Sequence, residues 1–458
     1  MTATIGELSR RRKTIILVTC CLSLLISSMD ATIVNVAIPA IRSDLGASMS
    51  RLQWIVDVYT LTLASLLMLS GALADRFGRK RVFRIGLLIF AAGSLACSLA
   101  PTIEVLIGAR FLQAVGGSML NPVAMSIITT VFTGRVERAR AVGIWGAVVG
   151  ISTALGPLVG GGLIDALGWQ SVFWINLPIV AVAFTLTTLF VPESKSTQPR
   201  GMDWLGQLLV MTVLFTLVFG LIEDRPRMLI ITAVALGGFL WHEARHRTPF
   251  IDLRFFRSVP FASATVIAVC AFAALGAFLF DMSLYLQGTR GFSAAYTGVL
   301  YLPMALGMLV FSPLSGRLVG QRGTRPSLLA AGTLMALAAA GLTRLTPETA
   351  IWQLVILFAL FGIGFGMVNA PITTAAVSGM PLDRAGAAAA VASTSRQVGV
   401  SLGVALCGAV SGAGLWWIIT ALAVAILGLG VAANTEWAYR SRDRVAPLLE
   451  QKVSAHAG

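Results

Sequence analysis

GALADRFGRKR, residues 71–81, returns in weakened form as GRLVGQRGTRP, residues 316–326. Gly71, Leu73, Gly78 and Lys80 align with Gly316, Leu318, Gly323 and Arg325. Farther along, S-M-L-N-P (Ser118 to Pro122) is echoed by G-M-V-N-A-P (Gly366 to Pro371). Each copy of the basic loop lies between long apolar runs. A weak internal repeat of this kind is the sequence mark of a membrane protein built from two related helical halves.

The composition agrees. Of 458 residues, 57% are hydrophobic and only 12% are charged, against about 25% charged in soluble domains. With a mean hydropathy of +0.85, the chain reads as an all-α integral membrane protein. A bilayer core needs about 20 apolar residues per helix, and fourteen segments qualify. They are 14–40, 52–74, 82–100, 103–126, 140–164, 171–191, 204–222, 227–242, 260–286, 294–316, 327–345, 351–371, 386–410 and 414–433. The shortest, 227–242, reaches only ~24 Å as a helix. The first, after Arg10-Arg11-Arg12-Lys13, is too long for the apolar core of a cleavable signal peptide.

The net charge of +14 does not signal nucleic-acid binding, because the basic residues lie in short gaps between apolar runs. With fourteen spans, twenty-six of the thirty-four Lys and Arg residues fall on the side that holds both termini, and six on the other. The positive-inside rule makes that side the cytoplasm. The expected organisation is a six-helix bundle over 1–195, a linker with two inserted helices over 196–258, a second six-helix bundle over 259–434, and a cytoplasmic tail over 435–458. The five cysteines all lie in apolar runs and read as small apolar residues.

Four motifs in order resemble the major facilitator superfamily, and within it the 14-span drug:proton antiporters of the multidrug, quaternary-ammonium-exporting type. They are M-D-A-T-I-V-N-V-A-I-P (Met29–Pro39), the loop Gly71–Arg81, R-F-L-Q (Arg110–Gln113), and S-T-A-L-G-P-L-V-G-G (Ser152–Gly161). The resemblance covers essentially the whole chain. Ala114 departs from it, since the family usually has Gly there. The resemblance implies a bacterial cytoplasmic-membrane exporter of drugs, antibiotics or other toxic, cationic or amphiphilic molecules. It would be driven by proton exchange and work by alternating access of the two bundles. It needs no cofactor and performs no enzymatic reaction. Its partners are protons, a small-molecule substrate and the lipid bilayer, and a single chain is expected to suffice. A proton-coupled importer of a small metabolite is the alternative on the same fold.

Charges inside a bilayer are costly and are functional candidates by default. Asp30, Asp57, Arg110 and Asp281 stand out. Counting inward at ~1.5 Å per residue places all four at similar depth, where they can line one polar cavity. A buried carboxylate beside an arginine can load and release a proton, so Asp30 and Arg110 are the expected coupling pair. Asp57 is expected to couple or recognise a cation, and Asp281 to contribute to coupling or substrate. Gln113 and Arg396 are further structural or coupling candidates, with Arg396 favoured as a structural tie. Gly71, Asp75, Arg76, Gly78, Arg79 and Arg81 form the expected cytoplasmic gating loop, in which Gly78 permits a tight turn. Gly156, Pro157, Gly160 and Gly161 form the antiporter-signature helix, with small residues for close packing and a proline for a bend.

One motif points elsewhere. W-H-E-A-R-H, Trp241–His246, contains the H-E-x-x-H spacing of zinc peptidases. The only other histidine is His456, and the nearest candidate third ligand is Asp252. No peptidase partner motif is present, so the spacing reads as accidental and no metal is expected.

Overall fold

The computed structural model describes residues 8–196, 203–246, 251–378, 380 and 382–454. Part of the expected linker, 197–202, lies outside the described residues, as does the end of the tail, 455–458. Among the described residues every regular element is helical. Chain order gives α1 Arg10–Leu45, α2 Met49–Phe77, α3 Arg79–Ser98, α4 Ile103–Val131, α5 Arg135–Leu167, α6 Ser171–Trp174 and α7 Asn176–Phe190. Then come α8 Trp204–Ile222, α9 Met228–Arg245, α10 Val259–Leu284, α11 Ala294–Leu300 and α12 Leu302–Arg322. The chain finishes with α13 Arg325–Leu342, α14 Ile351–Gly366, α15 Asn369–Val377, α16 Leu382–Ala409, α17 Ala413–Ala432 and α18 Glu436–Ser454.

A helix falls on each of the fourteen apolar segments. Eleven are long and apolar enough to cross a membrane, or twelve when the bent α5 counts as one span. The helices over 228–245 and 382–409 fall outside that set. The first ends in His242, Glu243 and Arg245, and the second is rich in Ala, Gly and Ser. Helix α5 bends by 41° between Val136–Thr153 and Leu155–Leu167. Pro157 accounts for the bend, because it donates no hydrogen bond to the carbonyl one turn before it.

The chain divides into two compact units. The first holds Met1–Met202 with Met282–Leu302, and the second Asp203–Asp281 with Pro303–Gly458. In the first, α1 packs on α5 and α7, α4 on α2 and α3, and α5 on α11. Glycine allows these approaches. A Cβ on Gly116 would sit 2.7 Å from the Gly86 carbonyl oxygen, and one on Gly93 2.5 Å from the Gln113 backbone. In the second unit, α13 packs on α14 and α17, and α8 on α9 and α16. There a Cβ on Gly364 would lie 3.0 Å from the Ala331 carbonyl oxygen.

The internal repeat is visible in side-chain contacts within each unit. Ser70, just before Gly71, shares a 2.9 Å hydrogen bond with Ser118. Ser315, just before Gly316, donates over 2.9 Å to the carbonyl of Met367 and shares a 2.6 Å bond with Ser327. Ser118 and Met367 lie in the two echoed motifs. In each unit a buried hydroxyl therefore joins the helix leading into the repeated loop to the second echoed motif.

The antiporter-signature helix is held from two sides. A Cβ on Gly160 would lie 2.5 Å from Ile33 Cγ1, and one on Gly156 would overlap the Thr32 hydroxyl, both on α1. A Cβ on Gly161 would overlap the Ala294 carbonyl, and Gly298 of α11 faces the Pro157 carbonyl. Gly146, Gly150 and Gly162 have nothing within 4 Å of an added Cβ. The tight face therefore comprises only part of the glycine-rich segment. Gly161→Ala must shift backbone and should cost about 1–3 kcal/mol, as overpacking does. Thermal unfolding in detergent should show Gly161→Ala clearly lowered and Gly162→Ala at wild-type level.

Candidate functional site

Asp30, in the middle of α1, is fully buried, and so are Arg110 and Gln113 on α4. The Arg110 guanidinium donates from Nη1 to Asp30 Oδ2 at 2.5 Å. The other carboxylate oxygen accepts from Gln113 Nε2 at 2.8 Å and from Asn176 Nδ2 at 3.0 Å. Both amides also reach the Ser94 hydroxyl of α3, at 2.8 and 3.3 Å. Arg110 donates through Nε to the Ile55 carbonyl at 3.2 Å, and through Nη1 to Gln113 Oε1. Its guanidinium lies 4.0 Å from the centre of the Tyr59 ring.

The negative carboxylate is thus matched by one guanidinium and two amides, and the guanidinium by a carboxylate, two neutral oxygens and an aromatic face. This saturation lets two opposite charges persist without water. Five helices supply it: α1, α2, α3, α4 and α7.

Sequence reasoning selected Asp30, Arg110 and Gln113, and the structure brings all three together. It did not select Asn176 or Ser94. Asn176 in W-I-N-L-P is a polar residue in a very apolar run, a signal that was available; Ser94 carries none, because isolated serines are common in membrane helices. Asp57 is fully buried on α2, but the hydrogen-bond partners of Asp30 and Arg110 do not include it. Asp281 belongs to the second unit, about one turn along α10 from Phe278. Trp416 meets Phe278 edge-on at 5.9 Å, and Phe278 stacks on Phe361 at 4.3 Å and meets Phe358 at 4.9 Å. Arg396 donates to the Thr373 hydroxyl at 2.7 Å and lies 5.8 Å from the Phe272 ring centre, a tie between two helices of one unit.

The loop Gly71–Arg81 is anchored within the first unit. Gly78 ends α2 and begins α3 at φ 110°, a conformation that disfavours any side chain. Arg79 pairs with Asp75 at 3.0 Å and also donates to the Thr130 hydroxyl of α4. The Glu193 carboxylate, just past α7, accepts from the backbone N–H of Lys80 at 3.1 Å and of Arg81 at 3.2 Å. A carboxylate on free N–H groups at a helix start is favoured by both hydrogen bonding and the helix dipole. The backbone adds Arg79 N–H to the Ser194 carbonyl and Ser196 N–H to the Asp75 carbonyl. Arg76 is exposed, and Gly71 has only a distant neighbour at Pro122. Glu193 escaped the sequence reading because it is a single acid in the polar stretch that follows the sixth apolar segment.

These observations define a polytopic helical membrane protein organised around a buried ion pair. The model of the Major Facilitator Superfamily matches residues 20–404, and the chain belongs to that family, whose members are transporters and not enzymes. The multidrug resistance protein Stp of Mycobacterium tuberculosis is 36% identical over 86% of this chain and 75% of its own length. The tetracenomycin C resistance and export protein of Streptomyces glaucescens is 34% identical over 83% of this chain and 72% of its own. The riboflavin transporter RibZ of Clostridioides difficile is 30% identical over 86% and 87%.

The pair makes an asymmetric prediction. Asp30→Asn strands a guanidinium that cannot lose its proton and should cost about 3–5 kcal/mol. Arg110→Gln strands a carboxyl that can neutralise itself by binding one, and should cost less. The double variant should recover much of the loss, since both charges are gone. Thermal unfolding of the purified single and double variants would show this order.

Proposed function

We propose that the chain is a proton-coupled antiporter that exports drugs, antibiotics or other toxic, cationic or amphiphilic molecules from the cytoplasm, and so confers resistance. The observation that carries the reading is the buried Asp30–Arg110 pair. A proton placed on Asp30 removes the countercharge of Arg110 and weakens the oxygen that accepts from Gln113 and Asn176. In a dry interior that imbalance must be relieved by moving helices or admitting another group. Proton occupancy and helix arrangement are then linked, which an exchanger requires. The proton gradient is the energy source and no cofactor enters the cycle. Asp57 and Asp281 are the further acids that could meet a cationic substrate, the latter beside Phe278 and Trp416.

On this reading the topology is the 14-span one, with α8 and α9 as the inserted pair and both termini in the cytoplasm of a bacterial cell. The bundles over 1–195 and 259–434 alternate access, with a single chain as the working unit. The loop held by Glu193 acts as the cytoplasmic gate. The relatives named for resistance and export support this direction, and the tight contacts of Gly156 and Gly160 beside Asp30 support antiport. Import of a small metabolite is the second reading, favoured by the relative named as a riboflavin transporter.

Expression in a pump-deficient host should protect against at least one compound of a broad drug panel. Asp30→Asn, present at equal level in the membrane, should not protect. Acid-inside inverted vesicles should accumulate the protected compound and lose it when a protonophore is added. Protection against no compound would sink the resistance reading, and uptake only into right-side-out vesicles would favour import.

A further inference from the structure

Helix α9 ends in W-H-E-A-R-H, and the four-residue spacing stacks His242 and His246 on one face, with ring centres 4.8 Å apart. Facing them is Asp203, the N-terminal cap of α8, thirty-nine residues before His242. The Asp203 carboxylate oxygens lie 2.9 and 3.0 Å from His242 Nε2, and one lies 3.9 Å from His246 Nδ1. One donor atom from each residue falls within 4.8 Å of the others. The carboxylate is 3% exposed and the His246 side chain 37%, so the cluster is enclosed on the protein side and open past His246.

We propose that Asp203, His242 and His246 bind a divalent transition-metal ion of the zinc class, which clasps the end of the α8–α9 hairpin. Two imidazole nitrogens and one carboxylate oxygen are a donor set that zinc takes. Its bonds of ~2.0–2.1 Å put tetrahedral donor atoms ~3.4 Å apart, and the observed 2.9 and 3.9 Å lie on either side of that spacing. Magnesium and calcium prefer oxygen cages and are disfavoured by the imidazoles. The carboxylate is held in place by the Gly206 N–H, which donates to it over 2.8 Å. His242 Nε2 gives up the proton it shares with Asp203 when the metal arrives, to solvent from the imidazolium or to Nδ1 from the neutral ring.

The site is a clasp and not a peptidase centre. Glu243, which would have to activate water, accepts from the Ile251 N–H at 2.9 Å. Asp252, the third ligand that sequence proximity suggested, is bound by Arg254 at 2.7 Å. The true third donor was hidden because it lies at the other end of the hairpin.

The full chain, purified in detergent without a polyhistidine tag, should be titrated with Zn(II) against a chromophoric chelator, and with Co(II) for visible absorption. One zinc per chain and the intense bands of tetrahedral Co(II) are expected. His242→Ala and His246→Ala should each weaken zinc binding by more than the ~10–100-fold that even outer-shell partners cost. Asp203→Asn keeps a capping oxygen for α8 and should also weaken binding, while His456→Ala should not. Zinc held equally by the wild type and by the double histidine variant, or no tetrahedral Co(II) signature in the wild type, would overturn the proposal. None of these readouts depends on transport, so they stand apart from the fate of the exporter reading.

Discussion

Two opposite charges without water must satisfy each other completely, and the first unit is built to meet that demand. The Asp30–Arg110 pair is worth little as a source of stability, because desolvating both groups costs about as much as their attraction returns. Its value lies in what it imposes. Arg110 cannot neutralise itself, so wherever it goes a carboxylate, carbonyls or an aromatic face must follow. Ile55, Tyr59, Gln113, Ser94 and Asn176 are positioned by that requirement. A charge this heavily constrained ties the positions of five helices to one another.

Close packing extends that constraint outward. Gly156 and Gly160 of α5 bear on Thr32 and Ile33, the turn of α1 just beyond Asp30. On its other side α5 meets Ala294 and Gly298 of α11 through contacts that leave no room for a methyl group. Thr32 and Ile33 meet α5 through their side chains, whereas Gly161 and Gly298 meet backbone, so the α5–α11 contact is the one that side-chain rotation cannot relieve. The bend of α5 lies just before these contacts, between Thr153 and Leu155.

Much of this was legible in the sequence, for a physical reason. In a membrane chain a charged residue in an apolar run is rare enough to be a signal, so Asp30, Arg110 and Asp57 were found without a structure. Gly78 was legible because a turn there demands positive φ, and the helices were legible because lipid imposes their length. Groups that complete a network from far away in the chain were not. Asn176 lies 146 residues from Asp30, and Glu193 lies 113 from Lys80. Both are single polar residues whose meaning depends on what they meet. Depth counting put Asp57 and Asp281 at the level of Asp30, and Asp57 is not among the hydrogen-bond partners of the pair. Depth along a helix says nothing about the direction in which a side chain points.

The repeat shows how one scaffold came to hold two different interiors. Aligning Ser118 with Gly366 and carrying the register back along the helices sets Gly116 opposite Gly364, Gln113 opposite Phe361 and Arg110 opposite Phe358. Gly116 and Gly364 do the same work, admitting α3 and α13 respectively to backbone contact. One and two turns further along, the contents diverge. Arg110 and Gln113 close on the carboxylate of α1, whereas Phe358 and Phe361 close on the ring of Phe278 in α10. The backbone crossing is kept because glycine fixes the distance between helices, and the filling is free to change as long as it is self-consistent. A charge network in one unit and a stacked aromatic cluster in the other are both self-consistent: the first satisfies two buried charges, and the second buries Phe278 among Phe358, Phe361 and Trp416.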